Sequence, residues 1–231
     1  MNDASASAPT RRQRRILGLD EQQRQTERRR LLLDAALELF GTRGYAATSI
    51  ERLCQTAGIG TNSFYGLYPN KEAVMVGLYG QVTARFRQAV ADAYLAHRDD
   101  PDPIRPLVSA FVHEAVDDPR VARVAFIEAA GISANVEEQR RRTRNDFVDG
   151  LQAIGGDIRQ AHLGSATVAP HDVPGPSPRR NAVAMVGAIV ETTVDWLLDP
   201  DPDPIEHLIE DIAHHCRRVI RAIIQEAAPG S

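Results

Sequence analysis

Thr61, Asn62 and Ser63 stand in a row as three short polar side chains, and Phe64 and Tyr65 follow them directly. An asparagine amide carries a donor and an acceptor side by side and can pair with an adenine edge through two hydrogen bonds. A threonine offers a hydroxyl, or a methyl contact with thymine. This is recognition chemistry rather than bond-breaking chemistry. The residues that would break bonds are not grouped anywhere. No glycine-rich phosphate loop and no nucleophile elbow can be read in the chain. His207, Asp211, His214 and His215 fall near helical spacing but have no second ligand-bearing segment, so they read as a solvated helix edge. An enzyme is not expected, nor is a metal or any other cofactor.

Two short helices must position the polar triplet. Ile50, Leu53, Cys54 and Ala57 recur at i, i+3, i+4 and i+7, which places them on one helical face. Thr48 is the expected N-cap of that helix, and Gly58 closes it, because glycine takes the left-handed conformation of a sharp exit without strain. A second helix is expected from Thr61 to about Leu67, with Phe64 inward and Pro69 forcing a break. Two helices joined by a tight glycine turn form a helix-turn-helix, whose second helix fits a DNA major groove. An earlier helix over about 26–43, with Leu32, Ala36, Leu39 and Phe40 inward, would brace the pair. Asn70 can cap a long helix reaching about His97, a mechanical link to whatever follows. Ahead of all this, Arg11, Arg12, Arg14 and Arg15 make a basic arm suited to phosphates or a minor groove. Residues 1–25 as a whole are expected to be disordered.

The order Thr48-Ser49-Ile50, Ala57-Gly58-Ile59, Phe64-Tyr65 and Asn70-Lys71-Glu72, with Leu39-Phe40 and Gly44-Tyr45 ahead of it, resembles the DNA-binding domain of TetR (tetracycline-repressor-like) regulators. The likeness runs from about Thr26 to Leu78, roughly a quarter of the chain. It implies that Thr48, Ser63, Tyr65 and Lys71 hold phosphate oxygens of double-stranded DNA. Thr61 and Asn62 are left to read bases. The chain departs from the family at three places: Gly60 replaces a usual serine, Gly66 a large residue, and Leu67 a histidine that touches phosphate. The family's contacts at those three positions are not carried over.

Charge agrees with a front half that meets a polyanion. Residues 1–80 carry 11 basic and 8 acidic side chains, whereas 81–231 carry 16 and 23. Apolar residues at 43% and charged residues at 25% are ordinary for a globular protein, and the dominance of alanine, leucine, arginine and glutamate favours an all-α fold. Cys54 and Cys216 both sit on apolar helical faces and read as buried, reduced thiols of a cytoplasmic protein. No signal peptide is visible, and the longest apolar run, from Ala182 to Val190, is half of what a membrane helix needs. No membrane partner is expected.

The domains expected are therefore a basic arm over 1–25, a helix-turn-helix domain over 26–80, and a helical effector-binding and dimerisation domain over 81–231. Helices in the last are read at about 104–117, 119–130, 133–154, 179–198 and 204–227, with a flexible loop over 155–180. The basic stretch from Gln139 to Arg144 reads as a solvated face. Phe111, Phe126 and Phe147, with Glu128 and Trp196, are candidates for the wall of a mainly apolar pocket. Val183, Val186, Val190 and Val194 stripe one terminal helix, and Leu208, Ile212, Val219 and Ile223 the other. In the resembled family such a pair meets its two-fold mate in a four-helix bundle, which implies a homodimer. The expected whole is a transcriptional regulator that releases a near-palindromic operator when a small molecule binds. The alternative is a dimeric DNA-binding protein that responds to no ligand.

Overall fold

The computed structural model describes residues 11–163 and 177–227, with side chains throughout except at 11–20, 159, 161–163 and 222–227. Every regular element among them is helical, so the fold is all-α. The chain divides into two compact units, Met1–Val74 and Met75–Ser231.

In the first unit, α1 (Arg11–Arg43), α2 (Ile50–Ala57), α3 (Thr61–Leu67) and the opening turn of α4 (Lys71–His97) close around Leu32, Phe40, Leu53, Phe64 and Val74, none of which is exposed. Gly44, at φ 89°, ends α1 and donates to the Phe40 carbonyl at 3.2 Å. α1 starts at Arg11, well before the expected Thr26, so residues 11–25 are helix and not a disordered arm. Along α1 the described side chains form pairs at i,i+3 and i,i+4, Glu21–Arg24 (3.1 Å), Glu27–Arg30 (2.7 Å) and Arg30–Asp34 (2.7 Å), of which the first supports the stretch ahead of Thr26. Each such pair adds about 0.2–0.5 kcal/mol to an exposed helix. The side chains of Arg11, Arg12, Arg14 and Arg15 lie outside the described ones.

In the second unit, α4 continues to His97 and is followed by α5 (Ile104–Val116) and by α6 (Pro119–Ala122), which runs on as a π-helical turn over Arg123–Glu128. Then come α7 (Ala134–Leu163), α8 (Pro178–Leu198) and α9 (Ile205–Ala227). Asp118 caps α6 by accepting from the Arg120 N–H at 3.1 Å, with Pro119 in the first turn where its missing donor does no harm. α7 runs well past the expected stop at 154. Gly155 and Gly156 fall at the start of the expected loop, but Ile158 beyond them is buried and Asp157 accepts a 2.7 Å hydrogen bond from Tyr94. Tertiary contacts outweigh the glycine penalty there. The expected loop is thereby shortened at both ends, and its middle, 164–176, lies outside the described residues.

α9 packs against α5 and α8, burying Leu208, Ile209, Ile212, Ala213 and Cys216. Arg217 fastens it by bonding Asp102 ahead of α5 (2.8 Å), and Glu210 of the same helix holds the guanidinium in place (2.7 Å). α8 packs on α7, where Arg179 reaches Asn145 (2.8 Å) and Asp149 (3.0 Å). By length and composition α8 is apolar enough to cross a membrane, with a mean hydropathy of 1.3 over 18 residues. The nine-residue apolar run had pointed the other way, because it stops short of Val194, Leu197 and Leu198, which keep the average of the whole helix high. Little of α8 is buried.

Candidate nucleic-acid interface and effector cavity

In the first unit Ser49, not Thr48, caps α2, its hydroxyl accepting from the Arg52 N–H at 3.2 Å. Gly58, at φ 66°, turns the chain, and the N–H groups of Gly58 and Ile59 return to the Gln55 and Cys54 carbonyls at 3.3 and 3.0 Å. That double closure is the glycine helix stop the spacing called for. α3 then leaves with no side-chain cap and hangs on one anchor, the fully buried Phe64. Everything polar at its front faces out: Thr61, Asn62 and Tyr65 are exposed, and Ser63 is half-buried. Asn62 has no hydrogen-bond partner among the described residues. The Thr61 hydroxyl lies within reach of the Cys54 thiol, whose pKa is raised chiefly by burial. Tyr65 is 57% exposed and stands edge-on to Phe64 at 5.3 Å.

Lys71 and Thr48 face inward. The Lys71 Nζ donates to the backbone carbonyls of Tyr45 and Thr48, each at 2.8 Å, and sits 4.2 Å over the Tyr45 ring. Burial lowers its pKa. The Thr48 hydroxyl is buried and donates to the Gly44 carbonyl at 2.8 Å. Together they tie the α1–α2 connection to the start of α4. Asn70 caps α4, accepting from the Ala73 N–H at 2.8 Å.

The second unit holds a cavity of about 970 Å³, near the top of the range for small-molecule sites. One wall is an aromatic cluster. Phe86 lies 5.0 Å from Phe111 and 5.5 Å from Phe126, and Phe111 meets Phe147 edge-on at 6.4 Å. Phe126 is delivered by the π-helical turn, where the Ala129 N–H reaches back to the Val124 carbonyl at 3.3 Å. Such turns recur at functional sites because the extra residue re-aims a side chain. Arg140, Arg141, Thr143 and Arg144 of α7 line another part, as do Val183, Val186 and Val190 of α8 and Cys216 of α9.

The family description "Bacterial regulatory proteins, tetR family" matches residues 32–78, the stretch that holds α2, α3 and the Lys71 tie. Residues 32–78 belong to the TetR family. A protein of Bacillus subtilis described as an uncharacterised helix-turn-helix transcriptional regulator, YuxN, is 33% identical over 52 residues, which are 22% of this chain and 18% of that one. The match thus spans less than a fifth of that relative. Solved structures agree over much more of the chain. A TetR-family regulator of Syntrophomonas wolfei is similar with a TM-score of 0.68 at 16% identity, covering 84% of this chain and 95% of its own. The fatty acid degradation regulator FadR of Bacillus halodurans gives 0.68 at 15%, covering 80% and 92%. FadR of Bacillus subtilis, solved in complex with stearoyl-CoA, gives 0.60 at 16%, covering 84% and 96%. At these identities the structural likeness speaks for a TetR-like fold.

Within that TetR-like fold the expected site residues part ways. Thr61, Asn62, Ser63 and Tyr65 share one short helix, while the Thr48 hydroxyl and two of the three Lys71 N–H donors are spent within the unit. Phe111, Phe126 and Phe147 line the cavity; Glu128 is bonded to Arg123 at 3.1 Å instead. Trp196 also lies elsewhere, its indole N–H donating to the Asp203 carbonyl at 2.8 Å across the α8–α9 turn. Leu208 and Ile212 are in the core of the unit and are not available to a dimer interface. Val186 and Val190 line the cavity, whereas Val183 remains 39% exposed; Val194 and Val219 are half-buried, and the Ile223 side chain is outside the described ones. Tyr79, Thr143 and the arginines of 140–144 were missed as lining residues. Their signal was the spacing of Arg140, Thr143, Phe147 and Leu151, a helical face that is basic at one end and apolar at the other.

Proposed function

We propose that this chain is a TetR-family transcriptional regulator that binds a near-palindromic operator as a homodimer and releases it when a small molecule enters the second-unit cavity. The observation that carries the DNA-binding part is α3, which holds itself in place with Phe64 and leaves Asn62 and Tyr65 outside. On this reading Asn62 reads a base edge, Thr61 a neighbouring one, and Ser63 and Tyr65 hold phosphate. The basic residues at 11–15 add phosphate contacts.

A second copy is the proposed cover for α8, whose outer face carries the exposed Ala184 and Leu198. A two-fold axis along that face makes the contact self-complementary and sets two copies of α3 on two half-sites. The 970 Å³ cavity supports a ligand-responsive regulator over one that only dimerises. The stearoyl-CoA held by the Bacillus subtilis FadR is consistent with an effector site of this size in this fold. Binding, rather than catalysis, suits the lining: burial pushes the Cys216 thiol up to about 11, so it stays protonated and a poor nucleophile at neutral pH. The protein acts in the cytoplasm, where its operator lies. Selection from a random DNA pool with the purified full chain tests the proposal. Enrichment of one near-palindromic sequence is expected, and recovery of no consensus at all would reject it.

A further inference from the structure

We propose that the cavity takes a long-chain amphipath, an extended hydrocarbon chain with an anionic, acceptor-rich head, the head lying against Arg144 and Thr143 and the chain along Phe86, Val90, Phe147 and Leu151. The inference rests on the reading of this cavity as the effector site. Its basis is that α4 and α7 run in the same direction. Tyr79 sits against Arg140, Arg87 pairs with Asp146 at 2.6 Å, and Tyr94 bonds Asp157 at 2.7 Å, so partner numbers rise together along both helices. Both helices carry the same gradient into the cavity. On α4 the lining changes from Tyr79 and Thr83 to Phe86 and Val90; on α7 it changes from Arg140, Thr143 and Arg144 to Phe147, Leu151 and Ile154. The polar halves therefore coincide, and so do the apolar halves. One end of the cavity is polar, with Glu137 and Glu138 beside the arginines, and the other is mainly hydrocarbon apart from Gln152.

Two groups at the polar end wait for an acceptor. Thr143 is 4% exposed and its hydroxyl has no hydrogen-bond partner among the described residues, whereas the buried Thr83 and Thr193 each donate to the carbonyl one turn back at 2.8 Å. A hydroxyl that the protein leaves unpaired at a cavity wall is free to bond a partner supplied from outside. Arg144 is exposed at the cavity mouth and has no carboxylate within ion-pair distance among the described residues, the Glu137 carboxylate acting on it only from farther off. Its neighbours are matched: Glu137 holds Arg140 at 3.0 Å, and Glu138 holds Arg141 and Arg142 at 2.8 and 2.9 Å. Glu191 also lines the cavity, but on α8 and exposed to solvent. Burial pushes the Tyr79 phenol up, so it keeps its proton beside Arg140. At the far end Gly155 belongs to the wall, and a Cβ there would meet nothing within 4 Å, which leaves room for a chain. A compact polar metabolite would leave the phenylalanine wall unfilled.

The head can be the carboxylate of a free long-chain acid or the phosphate-bearing carrier of its thioester. Isothermal titration of the full chain with palmitate, hexadecanol, butyrate and palmitoyl-CoA tests the inference. Palmitate or palmitoyl-CoA is expected to bind at least about tenfold more tightly than hexadecanol, and butyrate not to bind, since a charge-assisted hydrogen bond is worth about that factor. The tighter of the first two identifies the source of the head. Arg144→Gln and Thr143→Val should each weaken the anionic ligand about five- to fiftyfold while hexadecanol stays within about twofold. Equal binding of palmitate, palmitoyl-CoA and hexadecanol, or no binding of any long chain by folded protein, overturns the inference. Selection of a near-palindrome by the ligand-free protein is scored separately. A consensus without long-chain binding rejects this ligand class alone, and long-chain binding without a consensus rejects the regulator reading alone.

Discussion

Replacing Lys71 by methionine separates an internal tie from a phosphate contact. The ammonium donates to two carbonyls at 2.8 Å and lies 4.2 Å over the Tyr45 ring, and methionine keeps the apolar stem but none of these bonds. A hydrogen bond to a charged group contributes about 1.5–3 kcal/mol when fully buried; halving that for a half-exposed group and counting both bonds gives about 1.5–3 kcal/mol. The ring contact adds about 0.5–1 kcal/mol, so the unit should lose roughly 2–4 kcal/mol. In a unit of this size each kcal/mol moves the midpoint by about 4–8 °C, so its thermal transition should fall by roughly 10–25 °C. Differential scanning calorimetry reads that shift. DNA binding by the fraction still folded at low temperature should keep nearly the wild-type salt slope, because two of the three ammonium N–H donors are held by carbonyls of the same unit. A slope flattened by about 0.9, with the midpoint unmoved, would show that Lys71 serves phosphate and that the reasoning is wrong.

Asp118→Ala removes the cap of α6 and should lower stability by about 1 kcal/mol at neutral pH. The hydrogen bond from the Arg120 side chain, ahead of the opposing effect of burial, holds the Asp118 carboxyl below the usual range. Its contribution is therefore complete above the unfolded pKa of about 3.9 and disappears as pH falls through the lower folded value, so urea melts of mutant and wild type should converge below about pH 4. Ala184→Arg with Leu198→Arg places charge on the outer face of α8, where both residues are exposed in the monomer. Sedimentation velocity should then find a folded monomer, and a dimer as tight as wild type would remove α8 from the interface.

What the sequence made legible was what local chemistry controls. The i, i+3, i+4 spacing of Ile50, Leu53 and Cys54 and the left-handed Gly58 are short-range constraints, and they fixed α2, the turn and the buried Phe64 without knowledge of the rest. The cap at Ser49 was missed by one residue because Thr48 is an equally good cap in isolation; only the carbonyl of Gly44, brought close by the end of α1, turns its hydroxyl inward. The dimer stripe failed for a related reason. Leu208 and Ile212 have the spacing of an interface, but an apolar stripe does not say which partner covers it, and α5 of the same unit does. The cavity's polar end was hidden because Arg140, Arg141 and Arg144 share a run with Arg142, which does not line the cavity, and a basic run reads first as a solvated face. The early start of α1 was hidden because the arginine-rich stretch follows a small, polar start that reads as disorder.

The affinity of Asn62→Ala for the selected operator, and for each single-base change in one half-site, tests the reading of α3 most directly. Fluorescence anisotropy at fixed salt should show a loss of about 1–3 kcal/mol on the operator and a relaxed preference at one base pair per half-site, with the other positions discriminated as before. Unchanged preference at every base pair, in a protein that still folds and binds, would contradict the claim that this helix reads sequence through Asn62.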